Sequence, residues 1–235
     1  MTDAVWAIVP AAGNGSRMQA DRPKQYLSLH DQPVIMHTLE RLISHPRIAG
    51  VVVAVAADDP FWQTLPIPAN WPLHCARGGA QRADSVLSAL NLLNQLTGSD
   101  PWVLVHDAAR PCLRHQDIDL MLAALSQDPV GGILGVPVTE TVKRVDSQNR
   151  IVETVSRDNL WRAATPQMFR LQTLIKALEQ TRQAQCKVTD EASAMEYAGY
   201  QPKMVEGHAD NLKITLPQDL ALAALYLQQQ RGEHE

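Results

Sequence analysis

The reading of the fold turns on residues 5–18, Val5-Trp6-Ala7-Ile8-Val9-Pro10-Ala11-Ala12-Gly13-Asn14-Gly15-Ser16-Arg17-Met18. The unbroken apolar run from Val5 to Val9 predicts a strand buried on both faces. The small residues behind it predict a tight loop at the strand's carboxyl end, the edge at which open α/β sheets bind ligands. Working outward, Val51 to Ala56, Trp102 to Val105 and Ile133 to Val138 repeat the Val/Ile-rich character of the first run. Between them lie helical stripes at i, i+3/i+4, i+7 spacing: Ile35, Leu39, Leu42 and Ile43; Val86, Leu90 and Leu93; Leu220, Ala224 and Leu227. This alternation predicts an α/β chain, a single Rossmann-like domain over residues 1–235 with a mostly parallel, mixed central sheet flanked by helices.

One segment breaks the rhythm. Thr141 to Val145 and Ile151 to Val155 alternate around the polar stretch Asp146-Ser147-Gln148-Asn149-Arg150, which predicts a β-hairpin. A lone two-stranded hairpin is marginal in water, so residues 139–157 are expected to form a protruding arm that packs on a second copy of the chain.

Composition narrows the function. With 235 residues and 45% hydrophobic content the chain can build one α/β core. A net charge of -4 argues against a protein-wide nucleic-acid footprint, so any phosphate ligand must be held by a local basic cluster. The apolar runs are too short to span a membrane. Met1-Thr2-Asp3 leads almost directly into the first strand, without a basic region or small-residue cleavage pattern, so secretion is not expected. Cys75, Cys112 and Cys186 are odd in number and widely spaced, which fits free thiols in a cytoplasmic protein.

The first loop has the chemistry of phosphate recognition. Gly13 and Gly15 let backbone N–H groups approach phosphate oxygens, and Arg17 and Lys24 place positive charge beside them. Glycines alone would equally suit a plain strand-to-helix turn. Met18 occupies the third glycine position of a dinucleotide fingerprint, and no P-loop pattern is present. No Ser/His/Asp order, H-E-x-x-H or C-x-x-C occurs, so covalent or zinc chemistry has no support.

The stretch Ala11-Ala12-Gly13-Asn14-Gly15-Ser16-Arg17-Met18, followed by Pro23-Lys24-Gln25-Tyr26-Leu27, resembles the signature loop of nucleotidyltransferases that activate sugars and polyols. The match continues through Gly78-Gly79-Ala80-Gln81-Arg82-Ala83-Asp84-Ser85-Val86, Val105-His106-Asp107-Ala108-Ala109-Arg110-Pro111, Thr165-Pro166-Gln167, Thr189-Asp190-Glu191-Ala192-Ser193 and Asp210-Asn211-Leu212-Lys213. Together these motifs resemble the 2-C-methyl-D-erythritol 4-phosphate cytidylyltransferases of non-mevalonate isoprenoid synthesis. That resemblance implies CTP and a polyol phosphate as substrates, and a homodimer.

Carried over residue by residue, the resemblance assigns Arg17, Lys24, Arg157 and Lys213 to catalysis. It assigns Ala11, Ala12, Gly13, Asn14, Gly15, Gly79, Ala80, Ser85 and Asp107 to CTP. The polyol phosphate would be met by Asp107, Arg110, Thr165, Thr189 and Lys213, with Thr141 and Arg157 reaching it from the partner's arm. Ala80 departs from the acidic residue the family often carries there, which is tolerable if the base is read by backbone. Mg²⁺, or another divalent cation, is expected on the triphosphate, with Asp107 and Asp210 as candidate carboxylates. Thr189 could instead cap the following helix, and Thr215 with Gln218 reads as a capping box without chemistry. Asp84 and Asp190 read as structural, and His106 as a hydrogen-bonded core histidine. Rival readings are a ribitol 5-phosphate cytidylyltransferase, a non-catalytic nucleotide-binding regulator and, disfavoured by Met18, a nicotinamide dehydrogenase.

Overall fold

The computed structural model describes residues 5–13 and 22–232. The first half of the chain carries β1 (Val5–Pro10), the short pair β2 (Ser28–Leu29) and β3 (Gln32–Pro33), α1 (Val34–Ile43), β4 (Ile48–Val55), β5 (Leu73–Arg77), α2 (Arg82–Thr97) and β6 (Trp102–Val105). The second half carries α3 (His115–Leu125), β7 (Gly131–Pro137), β8 (Val142–Val145), β9 (Ile151–Val155), β10 (Trp161–Arg170), α4 (Leu171–Gln183), α5 (Glu191–Tyr197), β11 (Lys203–Glu206) and α6 (Pro217–Gly232).

Seven strands form the central sheet in the order β11-β7-β10-β6-β1-β4-β5. β1 runs parallel to β4 and β6, β4 to β5, and β7 to β11, while β10 is antiparallel to β6 and β7. The sheet is therefore mixed and mostly parallel, as the alternating pattern predicts. Its apolar runs are unbroken because both faces are covered. Ala7 and Val9 pack with Ile35, Leu39, Leu42, Ile118 and Met121 from α1 and α3. Ile8, one residue out of phase, packs with Val86, Leu90, Leu93, Leu174 and Leu178 from α2 and α4. From β1 the chain steps outward to β4 and β5, then returns to lay β6 on the other side of β1. The carboxyl ends of β1 and β6 flank this reversal of direction, the crevice where open sheets place ligands.

Three strands of the central sheet escape the sequence pattern for physical reasons. β5 and β11 are edge strands, and Leu73-His74-Cys75-Ala76-Arg77 and Lys203-Met204-Val205-Glu206 carry the mixed composition of half-solvated edges. β10 contains Pro166, which ordinarily argues against an interior strand. Here it sits in the irregularity between Ala163 and Gln167, where the ladder to β7 is interrupted.

The hairpin forms as expected. β8 pairs antiparallel with β9 in a separate two-stranded sheet, and Asp146 Oδ1 accepts the N–H groups of Gln148 and Arg150 in its turn. Val145, Ile151 and Val152 are 48%, 66% and 62% exposed, so the arm carries apolar surface that its own chain leaves uncovered. One expected cap is corrected. Asp219 Oδ2, not Gln218, accepts the N–H groups of Thr215 and Leu216 at 2.8 Å each, because a carboxylate complements the positive end of α6 better than an amide. No helix among the described residues is long and apolar enough to cross a membrane.

Gly131 opens β7 between β10 and β11 with a φ of +103°, and a Cβ there would press on the Met168 carbonyl oxygen. We expect Gly131→Ala to lower stability by about 1–3 kcal/mol, from strain at a backbone conformation that side chains avoid. Urea denaturation measures this, and a midpoint unchanged from wild type would contradict the strain.

Candidate active site

At the carboxyl ends of β1 and β6 lies a cavity of about 330 Å³ lined by most of the residues expected at the nucleotide: Ala11, Ala12, Gly13, Lys24, Gly79, Ala80, Ser85, Asp107 and Lys213. Asn14, Gly15 and Arg17 lie outside the described residues. The loop after β1 is held from beneath by Gln25, a buried side chain whose Nε2 donates to the carbonyls of Ala11 at 2.7 Å and Gly13 at 3.1 Å. Ala11 also donates its N–H to Ala54, so it borders the cavity with its backbone already engaged.

The opposite wall is built by the turn before α2. Ser85 Oγ accepts the Gly79 N–H at 3.0 Å and donates to the Gln81 carbonyl at 3.1 Å. Its hydroxyl proton is directed at the turn, and Ser85 lines the cavity beside Gly79. Gly79 is required by close approach, since a Cβ would run into Asp84 Cβ. Asp84 closes the turn by accepting the Gln81 N–H, the structural part expected of it.

A second, adjoining cavity of about 170 Å³ is lined by Arg110, Thr165, Gln167, Thr189 and Asp190. Arg82, Asp107 and Lys213 line both cavities and form the wall between them. Asp107, on the loop after β6, receives Arg82 Nε at 3.2 Å on Oδ1, and Lys213 Nζ at 2.8 Å and Arg110 Nε at 3.4 Å on Oδ2. Burial alone would raise its pKa, but Arg82, Lys213 and Arg110 outweigh burial and hold the carboxyl well below the usual range. Arg82 is itself gripped by the buried carboxylate of Glu191, with Nη1 to Oε1 at 2.6 Å and Nη2 to Oε2 at 3.0 Å. Burial disfavours the charge on Arg82, yet the two carboxylates more than restore it. Neither Arg82 nor Glu191 is singled out by the sequence reading, although both sit inside motifs it quotes; the signal was an arginine and a glutamate in two matched motifs far apart in the chain.

His106 and Thr165 brace Asp107 from behind. His106 Nε2 lies 3.1 Å from the Arg110 carbonyl, which can only accept, so the neutral ring carries its proton there and Nδ1 accepts from Thr165 Oγ1 at 3.0 Å. Thr165 Oγ1 also accepts the Asp107 N–H at 3.1 Å. Thr165 thus borders the smaller cavity, with its hydroxyl proton directed at His106. Thr189 lines the same cavity, and the capping alternative falls to its neighbour: Asp190 Oδ1 accepts the Ser193 N–H at 3.0 Å. Asp190 Oδ2 also takes the amide of Gln167, which accepts the Ala192 N–H in turn.

The remaining expected residues are not brought to this wall within one chain. Thr141 and Arg157 belong to the exposed arm, where Arg157 donates to the Thr139 carbonyl. Asp210 does not join Asp107: its Oδ2 faces Arg114 Nη2 at 2.7 Å and Gln230 Nε2 at 2.9 Å, and it lines neither cavity. Among the described residues there is no cluster of three His, Cys, Asp or Glu able to cage a metal. A wider hollow of about 480 Å³ beside β5 and α2, lined by Cys75, Arg77, Ser88 and Arg182, holds none of the expected site residues. The three cysteines are unpaired.

A basic wall between two cavities, set behind a glycine-bearing loop at the switch point of a mostly parallel sheet, is the arrangement expected of a nucleotidyltransferase. The sequence profile of the 2-C-methyl-D-erythritol 4-phosphate cytidylyltransferase family matches residues 5–229. Relatives bearing that name include proteins of Pseudomonas fluorescens, 52% identical over 92% of this chain and 93% of theirs, and of Vibrio vulnificus, 51% identical over 98% and 97%. The crystal structure of the Francisella tularensis 2-C-methyl-D-erythritol 4-phosphate cytidylyltransferase superposes with a TM-score of 0.82 at 37% identity, covering 95% of this chain and 99% of that one. The chain belongs to the 2-C-methyl-D-erythritol 4-phosphate cytidylyltransferase family.

Burial pushes the His106 imidazole down to about 4 from its ordinary 6.5, so between those values the unfolded chain binds a proton that the folded chain refuses. This contribution to stability is complete above pH 6.5 and is lost as pH falls through 4, amounting to roughly 3 kcal/mol. We expect His106→Gln to be less stable at pH 7 and to show a flatter fall in stability from pH 6.5 to 4.5. Chemical denaturation across that range measures it, and identical slopes for the two proteins would disprove the buried neutral imidazole.

Proposed function

We propose that this chain transfers the cytidylyl group of CTP to 2-C-methyl-D-erythritol 4-phosphate, giving 4-diphosphocytidyl-2-C-methyl-D-erythritol and pyrophosphate. The observation that carries this reading is the pair of cavities sharing Arg82, Asp107 and Lys213. CTP occupies the larger cavity and the acceptor phosphate the smaller, so the reacting groups meet at a wall of positive charge. An acceptor phosphate oxygen attacks the α-phosphorus of CTP, the bond from that phosphorus to the β-phosphate bridge oxygen breaks, and pyrophosphate leaves. Two anions must be brought together, so the task is charge neutralisation and in-line positioning. Lys24 in the nucleotide cavity and Lys213 on the wall serve that task, together with Arg17. The attacking phosphate is already deprotonated at neutral pH and needs no general base.

Mg²⁺ fits the triphosphate better than it fits the protein. Both Asp107 oxygens are engaged by cations, and Asp210 is turned toward Arg114 and Gln230, so the two do not make a joint metal site. The cation would neutralise triphosphate oxygens that supply most of its ligands, with Asp107 the carboxylate that lines both cavities. The cytoplasm is the proposed compartment, which the unpaired cysteines and the phosphorylated substrates support.

Pyrophosphate release tests the reaction. With 2-C-methyl-D-erythritol 4-phosphate present we expect CTP to be preferred over UTP by about 1 to 3 kcal/mol in kcat/KM, because a carbonyl in place of the exocyclic amine leaves a buried partner unpaired. No pyrophosphate from CTP, equal use of the two nucleotides, or a clear preference for ribitol 5-phosphate would each contradict this assignment.

The proposed assembly is a homodimer in which the arm reaches the partner's acceptor cavity. It is supported by the exposed apolar residues of the arm and by the absence of Thr141 and Arg157 from the lining of either cavity in their own chain. Mixing inactive Arg157→Ala and Lys24→Ala subunits would put both lesions in one site of each mixed dimer and leave the other intact. Random pairing of equal amounts then restores roughly a quarter of wild-type activity. A mixture that stays inactive after proven subunit exchange would show that Arg157 acts within its own chain.

A further inference from the structure

Arg82 occupies an unusual position between the two cavities. A guanidinium has five N–H donors. Nε goes to Asp107, and Nη1 and Nη2 go to the two oxygens of Glu191. Glu191 is 1% exposed, on the first turn of α5, and lines neither cavity, whereas Arg82 opens α2 and borders both. Two helices that approach the site from different parts of the chain are therefore joined through one arginine to the loop after β6. Neither the base nor the acceptor can reach Glu191, so its carboxylate has no direct business with substrate.

Resting on the cytidylyl-transfer reading, we propose that Glu191 and Arg82 form a positioning relay: Glu191 clamps Arg82, Arg82 fixes the Asp107 carboxylate, and Asp107 sets Lys213 at the boundary where phosphate meets phosphate. The geometry requires all three links. Asp107 uses Oδ1 for Arg82 and Oδ2 for Lys213 and Arg110. If Arg82 swings away, Oδ1 loses its partner, the carboxylate is held through Oδ2 alone, and the ammonium bound there shifts with it. Without Glu191, the guanidinium has only the single Asp107 bond to define its plane. Three of its five donors are committed to the two acids, which leaves two N–H groups at a wall common to both cavities.

The groups facing Asp107 are Arg82 from α2, Arg110 from its own loop and Lys213 from the segment before α6, with Glu191 of α5 behind Arg82 and neutral His106 beside it. Loss of Arg82 removes the foremost of the cations that keep Asp107 ionised. With Arg82 gone, Lys213 and Arg110 remain on Oδ2, so what Asp107 loses is the orientation set through Oδ1.

Wild-type turnover of CTP and acceptor is measured first, because its absence defeats the reaction itself and not the relay. Against an active wild type, Glu191→Gln keeps the shape of the side chain and removes its charge. We expect kcat to fall between about tenfold and a hundredfold, as for small misplacements of reacting groups, with KM for CTP changed less than threefold. Arg82→Lys keeps the charge but cannot bridge both acids, and we expect it to be as slow as Arg82→Gln. In Arg82→Gln the further change Glu191→Gln should have no added effect on kcat, since Glu191 acts only through Arg82. Circular dichroism confirms folding, and if Glu191→Gln alone does not fold, the Arg82→Lys comparison and the kcat-against-KM split in Arg82→Gln carry the test. A folded Glu191→Gln with kcat within twofold of wild type, full rescue by Arg82→Lys, or independent losses that multiply in the double variant would each overturn the relay.

Discussion

The site depends on one buried carboxylate that stays ionised because cations surround it. Asp107 is 7% exposed, and removing such a group from water alone would favour its neutral form. Arg82, Lys213 and Arg110 reverse that preference, and Asp107 in return holds three positive side chains close enough to serve one phosphate-binding wall. Deleting one member of such a cluster strands the others, so its parts are better understood as a unit than as separate contacts.

The sheet makes this arrangement possible. β1 and β6 lie side by side and run in the same direction, so the loops that follow them, with Ala11 to Gly13 on one and His106 to Arg110 on the other, emerge at the same edge. The antiparallel strand β10 then supplies Thr165 next to Asp107, and the bulge around Pro166 sets where that side chain points. The neutral His106 completes the support because it can donate to one partner and accept from another at the same time. A charged imidazole could only donate, and Thr165 would lose the acceptor for its proton.

Much of this was legible in the sequence, and the remainder was hidden for identifiable reasons. Unbroken apolar runs mark strands that are buried on both faces, so β1, β4, β6 and β7 could be read directly, as could the stripes of α1 and α2. Edge strands β5 and β11 present no such run, and β10 is disguised by its proline. Among site residues named from the motifs, Gly79, Ala80 and Lys24 line the larger cavity. What a one-dimensional reading could not give is which polar groups are already occupied. Ser85 and Thr165 have the right chemistry for ligand contact, yet the fold spends their hydroxyl protons internally. Asp210 is three residues from Lys213 in the chain and turned away from the site in space. Gln25, Arg82 and Glu191 become visible only when the loops they join are seen together.

The two carboxylates that hold the wall, Asp107 within it and Glu191 behind Arg82, are at first sight misplaced beside a pocket that must attract anions. Without them, however, Arg82, Arg110 and Lys213 would have to be packed together with nothing to offset their mutual repulsion in a medium that screens it poorly. Asp107 and Glu191 remove most of that repulsion while leaving three cations against two anions, a surplus that a phosphate can use. The acids also consume donors selectively: Arg82 is held along three of its N–H bonds and keeps its remaining donors at the wall between the cavities. The site can therefore fold with its charges already oriented, so little reorganisation is left for the moment at which two phosphates are brought together.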